Sequence, residues 1–289
     1  MTDLVIGANG LVGSAIMNYL ADSVGTFHVS TDNTLSNRKY EYLDLTEKDK
    51  INVMFEKHKP KRVFLAAANP YVDGCENPET DKVNINGVSS VIENCGIYDA
   101  QVVFFSSSYV FNGKSQTPYK PHDLTEPINR YGRQKELIEG LITSKDRLRY
   151  LIIRTVGVFG KEGRAKNFVS QVTKAISENK RIRVPLDQTM NPIWSMDLAR
   201  ISIHLSDRYS NEVFHVAGDK CLSKYEWAIK IAYKAGYKKP HDIVVGVESE
   251  EMKQMAIRPS NGCLDSHSLT ARAMSVPNLE KGLAKFLDS

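Results

Sequence analysis

Cysteine is scarce and scattered in this chain. Its four cysteines, Cys75, Cys95, Cys221 and Cys263, form no C-x-x-C pair and no metal-ligand spacing. That speaks against a zinc site and fits a reduced, cytoplasmic compartment. The seven histidines are equally dispersed, with no H-E-x-x-H pattern. Long hydrophobic runs are absent. The stretch Val63 to Ala68 is among the longest, far short of a membrane span, and no basic-then-apolar leader opens the chain. A soluble protein with no membrane partner is expected. Charge of one sign is lacking too, since 38 Lys plus Arg face 34 Asp plus Glu for a net +4. No nucleic-acid partner is expected without a concentrated basic face. With 42% apolar and 25% charged residues, 18 glycines and 11 prolines, the chain is not disordered, collagen-like or coiled-coil. Its 289 residues suit one or two packed domains.

What is present is a rhythm. Short β-branched or aromatic runs at Asp3–Ile6, Phe27–Thr31, Arg62–Leu65, Val102–Phe105 and Tyr150–Ile153 read as strands. Between them, Leu11–Ala21, Thr46–His58, Thr80–Cys95 and Asn129–Thr143 read as helices. Strands alternating with helices predict an α/β fold, a doubly wound, Rossmann-type parallel sheet. The strands are continuously apolar, as strands covered on both faces must be. After about residue 160 the rhythm loosens. Basic residues cluster between Lys161 and Arg183, followed by a strand-like Val213–Val216 and a helix-like Tyr225–Ala235.

Gly7-Ala-Asn-Gly10-Leu-Val-Gly13 directly follows the first strand and opens the first helix. One glycine permits the tight turn, one lets a pyrophosphate approach the backbone, and one lets helix and strand pack closely. The free N–H groups of the helix start then face the phosphates. In this position the motif predicts a dinucleotide site formed by Gly7, Asn9, Gly10, Leu11 and Val12. Asp32, 19 residues after Gly13, has the spacing of an acid that binds the adenosine ribose hydroxyls. A carboxylate there repels a 2′-phosphate and tilts the cofactor from NADP towards NAD, while Arg38 and Lys39 keep NADP open. Residues 1–160 are therefore expected to form the NAD(P)-binding domain, with a returning contribution from about 188–218. Residues 161–289 are expected to form a smaller, interleaved substrate-binding region.

Tyr131 and Lys135 stand at i, i+4 in a predicted helix and share one face. This Y-x-x-x-K follows a strand whose end carries Ser106-Ser107-Ser108. A phenol is a poor proton donor at neutral pH, and a neighbouring ammonium stabilises its phenolate and brings it towards the working range. A serine hydroxyl can hold a carbonyl oxygen while hydride arrives and charge develops. The segment from Tyr109 to Pro127 carries Pro118, Pro121 and Pro127 and little periodicity, and is expected to wall a substrate cleft.

The glycine motif, the serine triplet and Tyr131-x-x-x-Lys135 together resemble the extended short-chain dehydrogenases/reductases. Ser106-Ser-Ser-Tyr-Val-Phe111 is similar to the S-T-D-Y-V-F of one branch, the dTDP-4-dehydrorhamnose reductase family. Ala66-Ala-Ala68, Val72-Asp73, Val83-Asn84, Asn129-Arg-Tyr-Gly132, Arg154-Thr155, Asn167-Phe168, Asp187-Gln188 and Arg258-Pro259 extend the likeness over nearly the whole chain. The resemblance implies Ser107 in place of a catalytic threonine, Tyr131 as proton donor, and Lys135 as the residue that tunes Tyr131 and holds the nicotinamide ribose. It places Asp44 and Leu45 at the adenine, Ala66, Ala67 and Ala68 along the cofactor, and Asn84 in support of the lysine. Val72, Ser108, Tyr109, Asn167 and Arg258 are the implied nucleotide-sugar contacts.

Three departures stand out. Gly157 replaces the family's tryptophan, so an aromatic platform must come from elsewhere, with Tyr71, Tyr109 and Trp194 as candidates. Ser108 replaces an aspartate, and Pro192-Ile193 stands for the usual P-T. The implied activity is NAD(P)H-dependent reduction of the 4-keto group of a nucleotide-linked 4-keto-6-deoxyhexose. An NAD-dependent epimerase of the same fold stays open, as does a non-catalytic role resembling the regulatory β subunit of methionine adenosyltransferase. A homodimer also stays open. The Asp-Glu pair of the dehydratases is missing, because Ser108 and Tyr109 follow Ser107. The cations of 161–183 read mainly as a wet helix face, with diphosphate binding as the other reading.

Overall fold

In the computed structural model, residues 2–29, 37–162 and 166–288 are described. The alternation in the sequence closes into one parallel sheet. Its strands are β1 (Asp3–Ile6), β2 (Ser23–Phe27), β3 (Lys39–Tyr42), β4 (Arg62–Leu65), β5 (Gln101–Ser107), β6 (Tyr150–Thr155) and an edge strand, Glu212–His215. Their order is edge strand, β6, β5, β4, β1, β2, β3, and every pairing is parallel. The chain winds outward from β1 in both directions, which leaves a crevice between the carboxyl ends of β1 and β4, the place where open sheets of this kind bind ligands.

Alternation along each strand divides the core. Val63 and Leu65 of β4 face one buried cluster and Phe64 the other. On the first side lie α2 (Lys48–His58), α3 (Val88–Ile97) and α4 (Arg130–Thr143), which contribute Phe55, Val91, Ile92, Ile138 and Ile142. On the second lie α1 (Leu11–Tyr19) and α6 (Ser195–Ser206), which contribute Ile16, Leu198, Ile201 and Leu205. A third cluster joins α5 (Phe168–Ser177), α7 (Lys224–Lys234) and the C-terminal helix Leu279–Leu287 around Trp227, Phe159 and Leu283. Among the described residues, no helix is long and apolar enough to cross a membrane.

Several elements differ from their predicted form. The second strand runs over Ser23–Phe27, four residues earlier than predicted, because only three residues separate it from α1. Its Gly25 lies so close to Ala8 that a Cβ would come within 2.6 Å. β3 was not legible: it is short, partly exposed and polar at alternate positions. The predicted helix Thr80–Cys95 is composite, with a 3-10 turn at Pro78–Thr80, a π-helical stretch at Lys82–Gly87 and then α3. The cysteine reading also needs correcting. Cys221 and Cys263, 42 residues apart, are joined in a disulfide, and Cys75 and Cys95 are buried free thiols. Sequence spacing cannot reveal a pair that folding brings together. The basic run carries its charge into solvent on pairs such as Lys180–Glu178 and Arg183–Glu251, as a wet face does.

Candidate active site

The glycine turn sits at the mouth of the crevice. Gly7 has φ +84°, and a Cβ on it would stand 2.7 Å from the Ala67 nitrogen, so β1 and the exit of β4 meet only because that side chain is missing. Gly13 is pressed harder, since its Cβ would lie 2.1 Å from the Gly7 oxygen. Gly10 differs. Its Cβ would touch only the Gly7 oxygen, at 3.3 Å, and otherwise point into open space. Gly10 caps α1 without a side chain, and the first turn carries no acid. The exposed N–H groups and the clear approach fit a dinucleotide's pyrophosphate.

The other predicted cofactor residues surround this cradle. Leu11 and Val12 begin α1, and the Asn9 amide reaches the Val29 carbonyl. Ala66 continues the β4 direction, with its N–H on the Ile6 carbonyl at 3.0 Å, and Ala67 and Ala68 follow half-buried. Asp44 lies just beyond β3. The Thr46 N–H and hydroxyl, each at 2.8 Å, keep its carboxyl below the usual range against the opposing effect of burial. Buried Leu45 packs beneath Gly87. Asp32 lies outside the described residues. Of the two cations near it, the Arg38 guanidinium is committed to the Met17 carbonyl at 3.1 Å, and Lys39 is exposed at the start of β3.

The chemical residues gather at the end of β5. Ser107 terminates the strand and caps the following turn, its oxygen accepting from the Tyr109 N–H at 3.2 Å. Its hydroxyl also acts on the Tyr131 phenol, lowering it against the larger effect of burial. Tyr131 is set by the start of α4, where the Asn129 side chain caps the Gly132 N–H at 2.8 Å. Gly132 is required there, because a Cβ would stand 2.0 Å from the Tyr109 oxygen. One turn on, Lys135 donates to the Phe105 carbonyl at 2.9 Å and lies 5.7 Å from the centre of the Tyr131 ring.

The electrostatics differ from the expected tuning. Burial, followed by the neighbouring Cys75 thiol, raises the Tyr131 phenol above its ordinary value. Burial lowers the Lys135 ammonium to about 8, against the pull of Glu139 one turn further on. Desolvation is the largest influence on the phenol and favours its protonated form. Such a phenol can give a proton rather than take one.

Asn84 lies in the π-helical stretch, a form often found at functional positions. It accepts from the Asn69 N–H at 2.7 Å and donates to the Asn69 carbonyl and to Gln134, the neighbour of Lys135, at 3.1 and 2.8 Å. It thus clips the β4 exit to α4, and no direct bond between Asn84 and Lys135 is seen.

The predicted substrate residues divide. Val72 and Tyr109 are half-buried near the site, with Tyr109 packed edge-on to Tyr131 at 5.9 Å. Ser108 is fully buried, and its hydroxyl has no partner. Arg258 is paired with Asp73, and its charge acts on the Tyr109 phenol, lowering it against the larger effect of burial. Asn167 is occupied in capping α5 and bonding the Gly160 carbonyl at 2.9 Å and Glu162 at 3.0 Å. Gly157 has φ +58° and lies against Met190 and Pro192, so its backbone disfavours any side chain. Of the alternative platforms, Tyr109 stands beside Tyr131, Tyr71 is 65% exposed, and Trp194 is packed into the C-terminal cluster.

The segment 109–127 is ordered by its own packing. Phe111 stacks on Tyr119 at 4.2 Å, and the Arg154 guanidinium covers Phe111 while donating to the Pro121 carbonyl at 2.9 Å. Arg154 in turn forms a buried, two-pronged pair with Glu139. Sequence reasoning missed that pair, the influence of the Cys75 thiol on Tyr131, and the bond from Arg258 to Asp73. No local pattern marks any of them.

The RmlD substrate binding domain model matches residues 1–289. A dTDP-4-dehydrorhamnose reductase of Aggregatibacter actinomycetemcomitans is 28% identical, covering 91% of this chain and 90% of that protein. The spore coat polysaccharide biosynthesis protein SpsK of Bacillus subtilis is 31% identical, covering 98% and 96%. Among solved structures, the dTDP-4-dehydrorhamnose reductase of Bacillus anthracis in complex with NADP superposes with a TM-score of 0.86 at 25% identity, covering 99% of this chain and 98% of that one. The chain belongs to the RmlD substrate binding domain family.

Proposed function

We propose that this family member reduces the 4-keto group of a nucleotide-linked 4-keto-6-deoxyhexose. The chain is an NAD(P)-dependent oxidoreductase resembling the dTDP-4-dehydrorhamnose reductases. The observation that carries the finer reading is the gathering of Ser107, Tyr131 and Lys135 at the end of β5, with Lys135 held on the Phe105 carbonyl at 2.9 Å and 5.7 Å from the centre of the Tyr131 ring.

The cofactor supplies a hydride when bound. Gly7, Gly10 and the start of α1 would hold its pyrophosphate, and Ala66 to Ala68 would leave room for it along β4. Ser107 orients the ketone oxygen, and Tyr131 gives its proton to that oxygen as negative charge develops there. Lys135, held by the Phe105 carbonyl at 2.9 Å, would hold the nicotinamide ribose and offset the charge left on Tyr131. Arg258, fixed by Asp73, serves the substrate's phosphates. We assign a preference for NADH to the Asp32 carboxylate, and Asp32→Ala relaxes it.

The test follows the reduced-nicotinamide absorbance with NADH and NADPH separately, over a panel of dTDP-, UDP- and GDP-linked 4-keto-6-deoxy sugars. Decay with one sugar is expected, together with its loss in Tyr131→Phe at unchanged cofactor affinity. Tight cofactor binding without turnover of any of these sugars would remove the reductase reading.

A further inference from the structure

Lys224 is the first residue of α7, directly after the Ser223 cap. A cation suits that position poorly, because the helix start is the positive end of the dipole. Its backbone N–H is tied to the Gln188 carbonyl at 2.9 Å, and its side chain is half-buried among Arg258, Asp187 and Asp73. Both carboxylates already have other partners. Asp73 holds Arg258 and the Ala256 N–H, the latter at 3.0 Å. Asp187 accepts from the Ser249 N–H and hydroxyl at 3.1 and 2.6 Å. Among the described residues, the Lys224 ammonium makes no hydrogen bond or ion pair.

Two neighbouring cations, one of them unpartnered, repel each other in a partly desolvated place. Burial first, and the Arg258 charge second, bring the ammonium down to about 8. An anion entering between them relieves both costs. The position suits such an anion. The Arg258 charge acts on the Tyr109 phenol, and Tyr109 packs edge-on against Tyr131 at 5.9 Å, so Arg258 lies on the Tyr109 side of the catalytic phenol. In a nucleoside-diphosphate sugar, the phosphates and the 4-keto carbon stand at opposite ends of one sugar ring.

We propose that Lys224 is a positioning residue that, together with Arg258, binds the diphosphate of the nucleotide-sugar substrate and thereby holds its ketone at Tyr131. This rests on the reductase reading above.

The test is calorimetric binding of dTDP and of thymidine to the full chain saturated with NADH, for wild type, Lys224→Met and Lys224→Arg. Lys224→Met is expected to weaken dTDP about ten- to a hundredfold, with thymidine and NADH binding unchanged, and Lys224→Arg to restore most of the loss. Wild-type affinity for dTDP should fall as the pH rises from about 7 to 9, while Lys224→Arg stays level. Carboxylates and guanidinium groups in general do not titrate in that range. If Lys224→Met fails to fold, this pH comparison decides alone. Unchanged dTDP affinity in Lys224→Met, equal loss of dTDP and thymidine, or a pH response shared by Lys224→Arg would overturn the proposal. Wild type that binds none of dTDP, UDP or GDP would instead remove the sugar-nucleotide reading itself, and the role of Lys224 with it.

Discussion

Substituting Glu139 with Gln removes one charge from the most buried ion pair described in the protein, Arg154–Glu139, whose side chains are 7% and 8% exposed. Arg154 donates from Nε at 3.0 Å and from Nη2 at 2.6 Å to the carboxylate. Without that charge the guanidinium stays in place, because Phe111 covers it and Pro121 accepts from it. Leaving a buried charge uncompensated costs about 3–5 kcal/mol. At roughly 2.1 cal/mol/K per residue, a chain of 289 residues unfolds with an entropy near 0.6 kcal/mol/K, so the melting temperature should fall by about 5–8 °C. Thermal and urea unfolding, each followed by circular dichroism and fluorescence, measure it. Glu139→Leu/Arg154→Met should recover at least half of the loss, since a hydrophobic replacement carries no orphaned charge. The active site supplies a second readout. Glu139 supports the Lys135 ammonium, so its loss should move any alkaline limb of activity below about pH 8. A melting temperature within 1 °C of wild type (~1 °C is the resolution of such scans), or a double variant no better than the single, would refute the reasoning.

The glycines separate folding from cofactor binding. Gly13→Ala must displace α1 from the Gly7 carbonyl and should destabilise by about 1–3 kcal/mol, whereas Gly10→Ala should leave the melting temperature alone and weaken NAD(P)H binding, read by fluorescence titration. The disulfide closes a loop of 42 residues, which in the chain-entropy model is worth about 4 kcal/mol. Cys221→Ser/Cys263→Ser should therefore unfold several degrees earlier than wild type, and a wild-type midpoint that is the same with and without a dithiol reductant would count against the bond. His215 is fully buried and held down to about 3, chiefly by burial and then by the Arg154 charge. The unfolded chain binds a proton below about pH 6.5 that the folded chain refuses, so stability rises with pH through that window and falls by about 1.4 kcal/mol per unit on acidification. His215→Gln should flatten the urea midpoint between about pH 6.5 and 5; an unchanged slope would assign it to other groups.

Much of the frame could be read from local order. Apolar runs four residues long that alternate with helical periodicity already imply a parallel sheet, and β1, β4 and β6 begin where the runs do. Gly7, Gly10 and Gly13 occupy the turn that their spacing implied, because each glycine's task is set by residues within a few positions of it. Tyr131 and Lys135 share a helix face for the same reason, and the Ser107 that meets them sits at a strand end recognisable from its sequence.

The sequence by itself therefore determined the kind of fold, the glycine cradle and the identity of the Tyr-Lys pair, since all are products of short-range periodicity. Tertiary structure alone decided the charges around them. Asp73 meets Arg258 across 185 residues, Cys221 meets Cys263 across 42, and Lys224 is left half-buried with no ion pair among the described residues. It also decided the proton on Tyr131. A lysine one turn away suggests a lowered phenol, but burial is a property of the whole packed site, and here burial prevails.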